Sequence, residues 1–196
     1  MKMYIDSKRG SGNFIHPTAI VHGNVVPGDN NYIGPYCIIG EPGEHKGHFH
    51  EELASRDDWK NHNANTVRIG NGNTFTKQVT IDAGTVGDTI VGNENWMLKN
   101  AHIGHDAVLH NNITLSCNAV VGGHCAIDDG CNFGLGAVMH QYCYMPKDCM
   151  VGMNTTVTKR LVPEECRKYA GSPARDIGPN TNYHTVIEGR IVNDQG

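Results

Sequence analysis

Residues 91–133 read VGNENWMLKNAHIGHDAVLHNNITLSCNAVVGGHCAIDDGCNF, and every sixth residue of this stretch is large and apolar. A period of six fits neither the 3.6-residue turn of an α-helix nor the alternation of a plain strand. It is typical of a hexapeptide β-helix, in which short strands turn a corner every six residues. The series runs without a gap through Val91, Met97, Ile103, Leu109, Leu115, Val121, Ile127, Phe133, Met139, Met145, Val151 and Val157.

A second series of mostly small residues follows each large residue by four positions. We interpret it as the second inward position of each strand, with three hexads closing one triangular coil of eighteen residues. The cysteines of this series then stack in ladders, as small buried side chains and not as chemistry. The predicted ladders are Ala107, Cys125 and Cys143 on one inner edge, and Ile113, Cys131 and Cys149 on another.

The same period recurs from Ile15 to Ile39 and from Ile69 to Ile81. We therefore predict an all-β triangular prism over residues 1–160, followed by a C-terminal extension over 161–196. Two stretches break the period: a polar inserted loop at about 41–68 and a shorter excursion at 82–90. The segment PEECRKYA (163–170) predicts a short helix in the extension.

Composition excludes several classes of protein. The chain has 196 residues and a net charge of −4, so it lacks the excess of positive charge that is typical of nucleic-acid-binding proteins. It contains no apolar run of about 18 residues that would predict a membrane-spanning helix. The first residues, MKMYIDSKRGSGNF, lack the apolar core of a signal peptide. We expect a cytoplasmic protein with reduced cysteines.

Three histidines stand out from the twelve in the chain. His105, His124 and His140 fall within one position of each other when counted in coils of eighteen residues. They are therefore predicted at one corner of the prism on three successive coils. Clustered imidazoles indicate a candidate site, and the alternative is three unrelated surface histidines.

The segments around these histidines resemble the active-site coils of UDP-N-acetylglucosamine acyltransferase. The resemblance rests on three motifs that occur in the same order and at matching intervals. They are NAHIGHD (100–106), GGHCAIDDG (122–130) and AVMHQYC (137–143), with further matches at IHPTAIVHGN (15–24), IGPYCIIGEP (33–42) and VTIDAGT (79–85).

This resemblance implies a left-handed parallel β-helix that forms a homotrimer with active sites between neighbouring subunits. It implies transfer of an acyl group from a thioester donor to a hydroxyl or amine of a nucleotide sugar, with no tightly bound cofactor and no metal. His105 is the implied general base, Asp106 would orient its imidazole, and the Gly123 N–H would stabilise the oxyanion. Residues implied to hold the substrates are His102, His124, His140 and Gln141.

Some positions depart from the family pattern. Asp82 stands where the family's VTIHRGT motif has a substrate-contacting histidine. We expect no counterpart of the family's C-terminal helical domain; instead GSPAR (171–175) resembles the ending of CoA-dependent hexapeptide acetyltransferases. Lys159, Arg160 and Arg175 are therefore candidate donor contacts, and the donor is either acyl-CoA or acyl carrier protein.

The inserted loop reads EHKGHFHEE (44–52) and is rich in histidine and glutamate. Glu44 and His45 lie nearest the family's sugar-nucleotide segment, so His45 is a candidate substrate contact. Imidazole and carboxylate are also zinc ligands, which leaves a metal site or a plain polar loop as alternatives.

Two other functions remain open. A γ-class carbonic anhydrase-like zinc enzyme shares the fold and uses two histidines five residues apart, the spacing of His105 and His110. Asp82 stands where its third histidine ligand would be. A purely structural β-helix is the other alternative, although it would predict regular repeated faces in place of an interrupting loop.

Overall fold

The structure is a computed structural model that describes residues 10–43 and 65–181. Within these residues it contains only short strands, arranged as the three faces of a prism. This confirms the predicted all-β, left-handed parallel β-helix. Over residues 10–43 and 65–181 there is no helix with the length and apolar character needed to cross a membrane.

The strands are numbered in chain order and fall into three sheets. The first sheet contains β1 (Phe14–Ile15), β4 (Tyr32–Ile33), β7 (Thr74–Phe75), β10 (Trp96–Met97), β13 (Thr114–Leu115), β16 (Asn132–Phe133), β19 (Met150–Val151), β21 (Arg167–Ala170) and β22 (Arg175–Pro179). The second contains β2 (Ile20–Val21), β5 (Ile38–Pro42), β8 (Thr80–Ala83), β11 (His102–Ile103), β14 (Val120–Val121), β17 (Val138–Met139) and β20 (Thr156–Val157). The third contains β3 (Val25–Pro27), β6 (Val67–Ile69), β9 (Thr89–Val91), β12 (Val108–Leu109), β15 (Ala126–Ile127) and β18 (Tyr144–Met145).

Apart from the terminal β21–β22 pair, the strands pair in parallel with their equivalents one coil away. Trp96 pairs with Thr114, eighteen residues on, as the hexapeptide period predicts. The offset widens where the period breaks: Val25 pairs with Val67, and Ile81 pairs with Ile103. The long insertion therefore lies between Pro42 and Val67, slightly inside the predicted 41–68, and most of it lies outside the described residues.

Both inward series are buried, which confirms the predicted core. The twelve large residues from Val91 to Val157 are all at most 1% exposed, and the cysteine ladders lie among them. Cys125 and Cys143 occupy equivalent positions because Ala126 pairs with Tyr144. These residues form one apolar core along the inside of the prism, and its removal from water is the main contribution to the stability of the fold.

The corners of the prism require left-handed backbone. Three residues after each large inward residue the chain commonly has a positive φ. Asn100, Asn112 and Asn118 are examples, with φ of 61°, 55° and 61°. Asparagine tolerates this region better than most side chains. Its side-chain amide also bonds between coils, since Asn100 Nδ2 donates to Asn118 Oδ1 over 2.9 Å.

The predicted helix at 163–170 is wrong. The chain instead forms β21, which adds to β19 in parallel and turns back into the antiparallel β22. Cys166 has a φ of 56°, which no α-helix accommodates. Tyr169 is buried in the end of the prism, and its hydroxyl donates to the Glu164 carbonyl over 3.1 Å. Burial of this ring therefore outweighs the local helix pattern.

We predict that Cys131→Ala lowers the free energy of unfolding by about 1 kcal/mol, because it leaves a small cavity in a fully buried ladder. The bond to Cys149 and burial both raise the pKa of the Cys131 thiol, so thiol reagents should label it only on unfolding. Denaturant unfolding and native-state labelling measure both effects. Cys117→Ala, at a partly exposed cysteine outside the ladders, is the control. Rapid labelling of Cys131 in the folded protein would contradict the packing role.

Candidate active site

A groove of about 350 Å³ runs along the corner that follows the second sheet. The strands of this sheet end at equivalent positions, so that residues one coil apart lie side by side. Six polar or glycine residues of the groove matter for its chemistry. They are Asp82, His102, His105, Gly123, His140 and Gln141.

The central pair of the groove is His105 and Asp106. The Nδ1 atom of His105 lies 2.7 Å from Asp106 Oδ2, and both side chains are largely buried. An ionised carboxylate can only accept hydrogen bonds, so Nδ1 carries the proton of the neutral ring. The lone pair of the neutral imidazole is therefore on Nε2.

Asp106 is held by the short excursion that sequence analysis located at 82–90. Its Oδ1 atom accepts bonds from the amides of Val86 and Gly87 over 2.8 and 2.6 Å, and its Oδ2 atom accepts from the Thr85 hydroxyl over 2.7 Å. Burial alone would raise the pKa of Asp106, but the bonds from Gly87, His105 and Thr85 outweigh it and hold that pKa well below its usual range. The excursion therefore acts as a nest of donors around one carboxylate.

Glycines fix the position of the His105 ring. A Cβ atom at Gly123 would lie 2.8 Å from His105 Nε2, and a Cβ atom at Gly43 would lie 2.6 Å from His105 Cβ. The ring thus lies between the backbones of Gly43 and Gly123, and a side chain at either position would be too close to it. Among the described residues, the Gly123 amide donates no hydrogen bond to the protein. Gly104 keeps this amide uncovered, because a Cβ there would lie 2.8 Å from Gly123 N.

The other two histidines of the predicted corner have different surroundings. The His124 ring lies edge-on to His105 with centroids 5.0 Å apart, and its Nε2 is 3.7 Å from Asp106 Oδ2. Tyr142 stacks on the opposite side of His124, and Lys159 Nζ lies 4.6 Å above the tyrosine ring. His140 instead lines the groove beside Gln141, and its Nδ1 lies 3.1 Å from the Gln141 carbonyl oxygen.

His102 and Asp82 form the end of the groove nearer the N-terminus. His102 Nδ1 lies 2.8 Å from the Thr80 hydroxyl, and His102 Nε2 lies 3.7 Å from Asp82 Oδ2. Asp82 is 9% exposed, which is unusual for a carboxylate. The structure therefore brings Asp82, His102 and His105 into one groove.

The candidate donor residues lie toward the C-terminal end. Lys159 and Arg160 follow β20, the last strand of the second sheet. The GSPAR segment folds back onto the same strand, since the Ala174 amide donates to the Thr156 carbonyl over 2.8 Å and Arg175 follows it. All three cationic side chains are exposed. His45 lies outside the described residues.

The structure also bears on the zinc alternative. His110 lies at the corner after the third sheet, where its Nε2 is 3.8 Å from Asp128, and not at the corner of His105. A different set, His105, Asp106 and His124, brings ligand atoms within 4.8 Å of one another.

Sequence reasoning missed the residues that act through their backbone or their size. The amides of Val86 and Gly87, the hydroxyl of Thr85 and the close approach of Gly43 have no side-chain signature of chemistry. Their only signal in the sequence is that the period of six breaks at these places: Gly43 lies in the break at 41–68, and Thr85, Val86 and Gly87 lie in the break at 82–90.

Comparison with known proteins extends the resemblance of the motifs. No protein-family model matches the chain. A UDP-N-acetylglucosamine O-acyltransferase of Burkholderia vietnamiensis is 38% identical over 93 residues, which cover 45% of this chain and 30% of that protein. Its counterpart in Paraburkholderia phymatum is 30% identical over 129 residues, covering 52% of this chain and 49% of the relative.

The solved structure of LpxA from Acinetobacter baumannii matches with a TM-score of 0.76 and 25% identity, covering 89% of this chain and 63% of that one. The chain resembles UDP-N-acetylglucosamine acyltransferases in sequence and in fold. It spans about half or less of the length of the curated relatives it matches.

We predict that Asp106→Asn lowers the free energy of unfolding at pH 7 by about 1–3 kcal/mol, through weaker bonds to the 85–87 amides and to His105. Asparagine tolerates the φ of 59° at this position, so the loss is not backbone strain. Because the folded-state pKa of Asp106 is depressed, its contribution is present above the unfolded pKa of about 3.9 and is lost as pH falls below it.

The stability difference between the wild type and Asp106→Asn should therefore shrink as pH falls below about 4, measured by urea unfolding at several pH values. Asp129→Asn, at an exposed carboxylate of the asparagine ladder, is the control and should change little. A difference that stays constant down to pH 2 would contradict the role of the charge.

Proposed function

We propose that this chain is an acyltransferase that moves an acyl group from a thioester donor to a hydroxyl or amine of a nucleotide sugar. The observation that carries the proposal is the His105–Asp106 pair in an open groove, with the His105 ring packed against the Gly123 backbone. The relatives support it, since their names specify an acyl-carrier-protein donor and UDP-N-acetylglucosamine as acceptor.

His105 acts as the general base. A sugar hydroxyl is a poor nucleophile until its proton is removed during attack, and imidazole can accept that proton at neutral pH. Asp106 accepts a hydrogen bond from the Nδ1–H group over 2.7 Å, which directs the Nε2 lone pair toward the substrate. The same carboxylate stabilises the imidazolium that forms after proton transfer. The proton then passes from Nε2 to the leaving thiolate.

Gly123 supplies the oxyanion donor. Attack on a thioester carbonyl produces a tetrahedral oxyanion, which a fixed N–H group stabilises more than it stabilises the ground state. The Gly123 backbone lies against the His105 ring, and its amide has no acceptor among the described residues. The base and the oxyanion donor thus lie on adjacent coils, on the same side of the groove.

The two substrates occupy opposite ends of the groove. Lys159, Arg160 and Arg175 lie beyond the groove lining on the C-terminal side and can contact the phosphates of a CoA or of a carrier-protein arm. Asp82 and His102 lie at the other end and hold the acceptor sugar, while His140 and Gln141 line the wall between. A thioester on either carrier fits this layout, and assays with both carriers identify the donor.

The assembly is a homotrimer in the cytoplasm. The outward face of the second sheet has exposed apolar side chains at Ile20 and Val138, and a neighbouring copy would cover them. All seven cysteines are free thiols, as expected in a reducing compartment.

A zinc enzyme is the second candidate, favoured by the grouping of His105, Asp106 and His124. Both Asp106 oxygens already accept bonds from the 85–87 segment, which competes with metal ligation. Zinc content of protein purified without a histidine tag distinguishes the candidates: a stoichiometric ion with carbon dioxide hydration would replace the acyltransferase proposal.

We predict that His105→Ala lowers acyl transfer by about 10²–10⁴-fold, the usual cost of losing a general base. Transfer is measured from acetyl-CoA and from a 3-hydroxyacyl carrier protein to a panel of UDP-sugars, and circular dichroism checks the fold. His110→Ala, at an exposed histidine of another corner, is the matched control and should retain activity. A His105→Ala rate within a few-fold of wild type would overturn the assignment.

We predict a mass of about three times 21.4 kDa by light scattering at micromolar protein. Ile20→Asp should lower this mass, because a charge on the apolar face opposes its burial. Val26→Asp, at an equally exposed position of the third sheet, is the control and should leave the mass unchanged. A wild-type mass equal to one chain would contradict the trimer.

A further inference from the structure

The excursion that holds Asp106 carries a carboxylate of its own, that of Asp88. Asp88 Oδ1 accepts a bond from the Thr66 amide over 2.8 Å, and Asp88 Oδ2 accepts one from Arg68 Nε over 2.6 Å. Asp88 thus repeats, one coil earlier, what Asp106 does, since each carboxylate accepts from the backbone of the coil before it. Exposed ion pairs contribute little by themselves, so the importance of Asp88 lies in what it holds in place.

Both ends of the excursion are anchored to the preceding coil. The Asn65 amide donates to the Gly84 carbonyl over 3.1 Å, and the Thr89 amide donates to the Thr66 carbonyl over 3.0 Å. A Cβ atom at Gly84 would lie 1.7 Å from the Gly87 carbonyl oxygen, so the chain doubles back tightly between these anchors. The excursion therefore has little freedom to move while its anchors hold.

Asp88 directly follows the donor that lies closest to Asp106. The Gly87 amide bonds Asp106 Oδ1 over 2.6 Å, the shortest of the bonds that the excursion makes to this carboxylate. Burial raises the pKa of Asp106, and the Gly87 bond is the largest of the effects that lower it. Because Gly87 and Asp88 are neighbours in the chain, the bonds of the Asp88 carboxylate help to fix how the Gly87 amide faces Asp106.

The residues that flank the inserted loop lie on either side of the His105–Asp106 pair. Gly43, before the loop, lies against His105, where an added Cβ would be 2.6 Å from the His105 Cβ. Residues 65–68, after the loop, bond to the excursion and through it to Asp106. The two interruptions of the hexapeptide period are therefore joined to each other and to the base.

We propose that Asp88 is a positioning residue, which fixes the excursion so that Asp106 holds His105 in the orientation of a base. This inference rests on the proposed acyltransferase function and adds to it a residue that touches neither substrate. Loss of the Asp88 bonds lets the Gly87 amide shift, and the Asp106 carboxylate moves with it away from the His105 Nδ1–H.

The groove itself does not depend on these residues. Among the described residues that line it, none belongs to 65–68 or 84–88. A change at Asp88 should therefore alter the rate of the chemical step and leave the binding of both substrates as it is.

The kinetic test separates positioning from binding. Asp88→Ala removes both bonds and should lower kcat about tenfold with the KM of donor and acceptor each within about twofold, because a misplaced base costs rate and not affinity. Asp88→Asn keeps an oxygen for the Thr66 amide and should lower kcat only about threefold. Transfer is measured from acetyl-CoA and from a 3-hydroxyacyl carrier protein to UDP-N-acetylglucosamine.

Asp176→Ala is the matched control. Asp176 accepts from Arg167 Nε over 2.6 Å and from the Gly178 amide over 2.8 Å, which are the same two kinds of bond at the same lengths. These residues lie in the terminal hairpin of β21 and β22, which makes no contact with the excursion among the described hydrogen bonds. The control should leave kcat unchanged.

A double-mutant cycle with Asp106→Asn tests whether Asp88 acts through Asp106. Effects of interacting residues are non-additive, whereas those of independent residues add. Asp88→Ala should therefore lower kcat no further in the Asp106→Asn background.

The same cycle on urea unfolding needs no activity. Asp88→Ala should raise the unfolding equilibrium constant about tenfold in the wild type and about threefold or less in the Asp106→Asn background. Asp176→Ala should have the same effect in both backgrounds. If Asp88→Ala does not fold, Asp88→Asn replaces it in both cycles.

Each outcome separates the two claims. An unchanged kcat in Asp88→Ala, a raised KM at unchanged kcat, or additive effects in both cycles overturns the positioning role and leaves the acyltransferase in place. No transfer by folded wild-type protein from either donor overturns the proposed function instead, and the unfolding cycle then decides by itself whether Asp88 positions Asp106.

Discussion

Parallel pairing of residues eighteen positions apart is the constraint on which both the prism and its site depend. It places each residue directly beside its equivalent on the next coil, and the His124 amide accordingly donates to the His105 carbonyl over 2.9 Å. A bulky ring such as that of His105 therefore lies over position 123, and only glycine leaves room there. The base and the Gly123 backbone are adjacent because of the repeat, with no further contact needed to bring them together.

The second requirement is an interruption of that repeat. In a regular coil the backbone at Asp106 would only turn the corner of the prism, with its φ of 59°. The four extra residues between β8 and β9 bring three donors, from Thr85, Val86 and Gly87, onto its carboxylate. Those bonds keep the carboxylate ionised and fix the His105 ring. The charge that supports the base is thus stabilised by loop backbone, while its position is set by the rigid coils.

Much of this arrangement could be predicted from sequence, because a period of six dictates strand positions, inward residues and register together. The cysteine ladders and the shared corner of His105, His124 and His140 follow from counting, whereas Asp82 and His102 are placed at the site only by the resemblance of their motifs. The helix predicted at 163–170 failed because Tyr169 gains more by burial in the end of the prism than the segment gains as a helix. The amides around Asp106 and the approach of Gly43 could not be predicted, since backbone groups carry no residue-specific signal.

The central claim is that Nε2 of His105 takes a proton from the acceptor while the Gly123 amide binds the oxyanion. A crystal structure with a nucleotide-sugar acceptor and a non-reactive thioether analogue of acyl-CoA or of an acyl-pantetheine arm tests it most directly. The account predicts the acceptor heteroatom about 3 Å from His105 Nε2, with the position of the thioester oxygen directed at the Gly123 N–H. Both ligands bound away from His105, or an acceptor atom facing a different base, would contradict it.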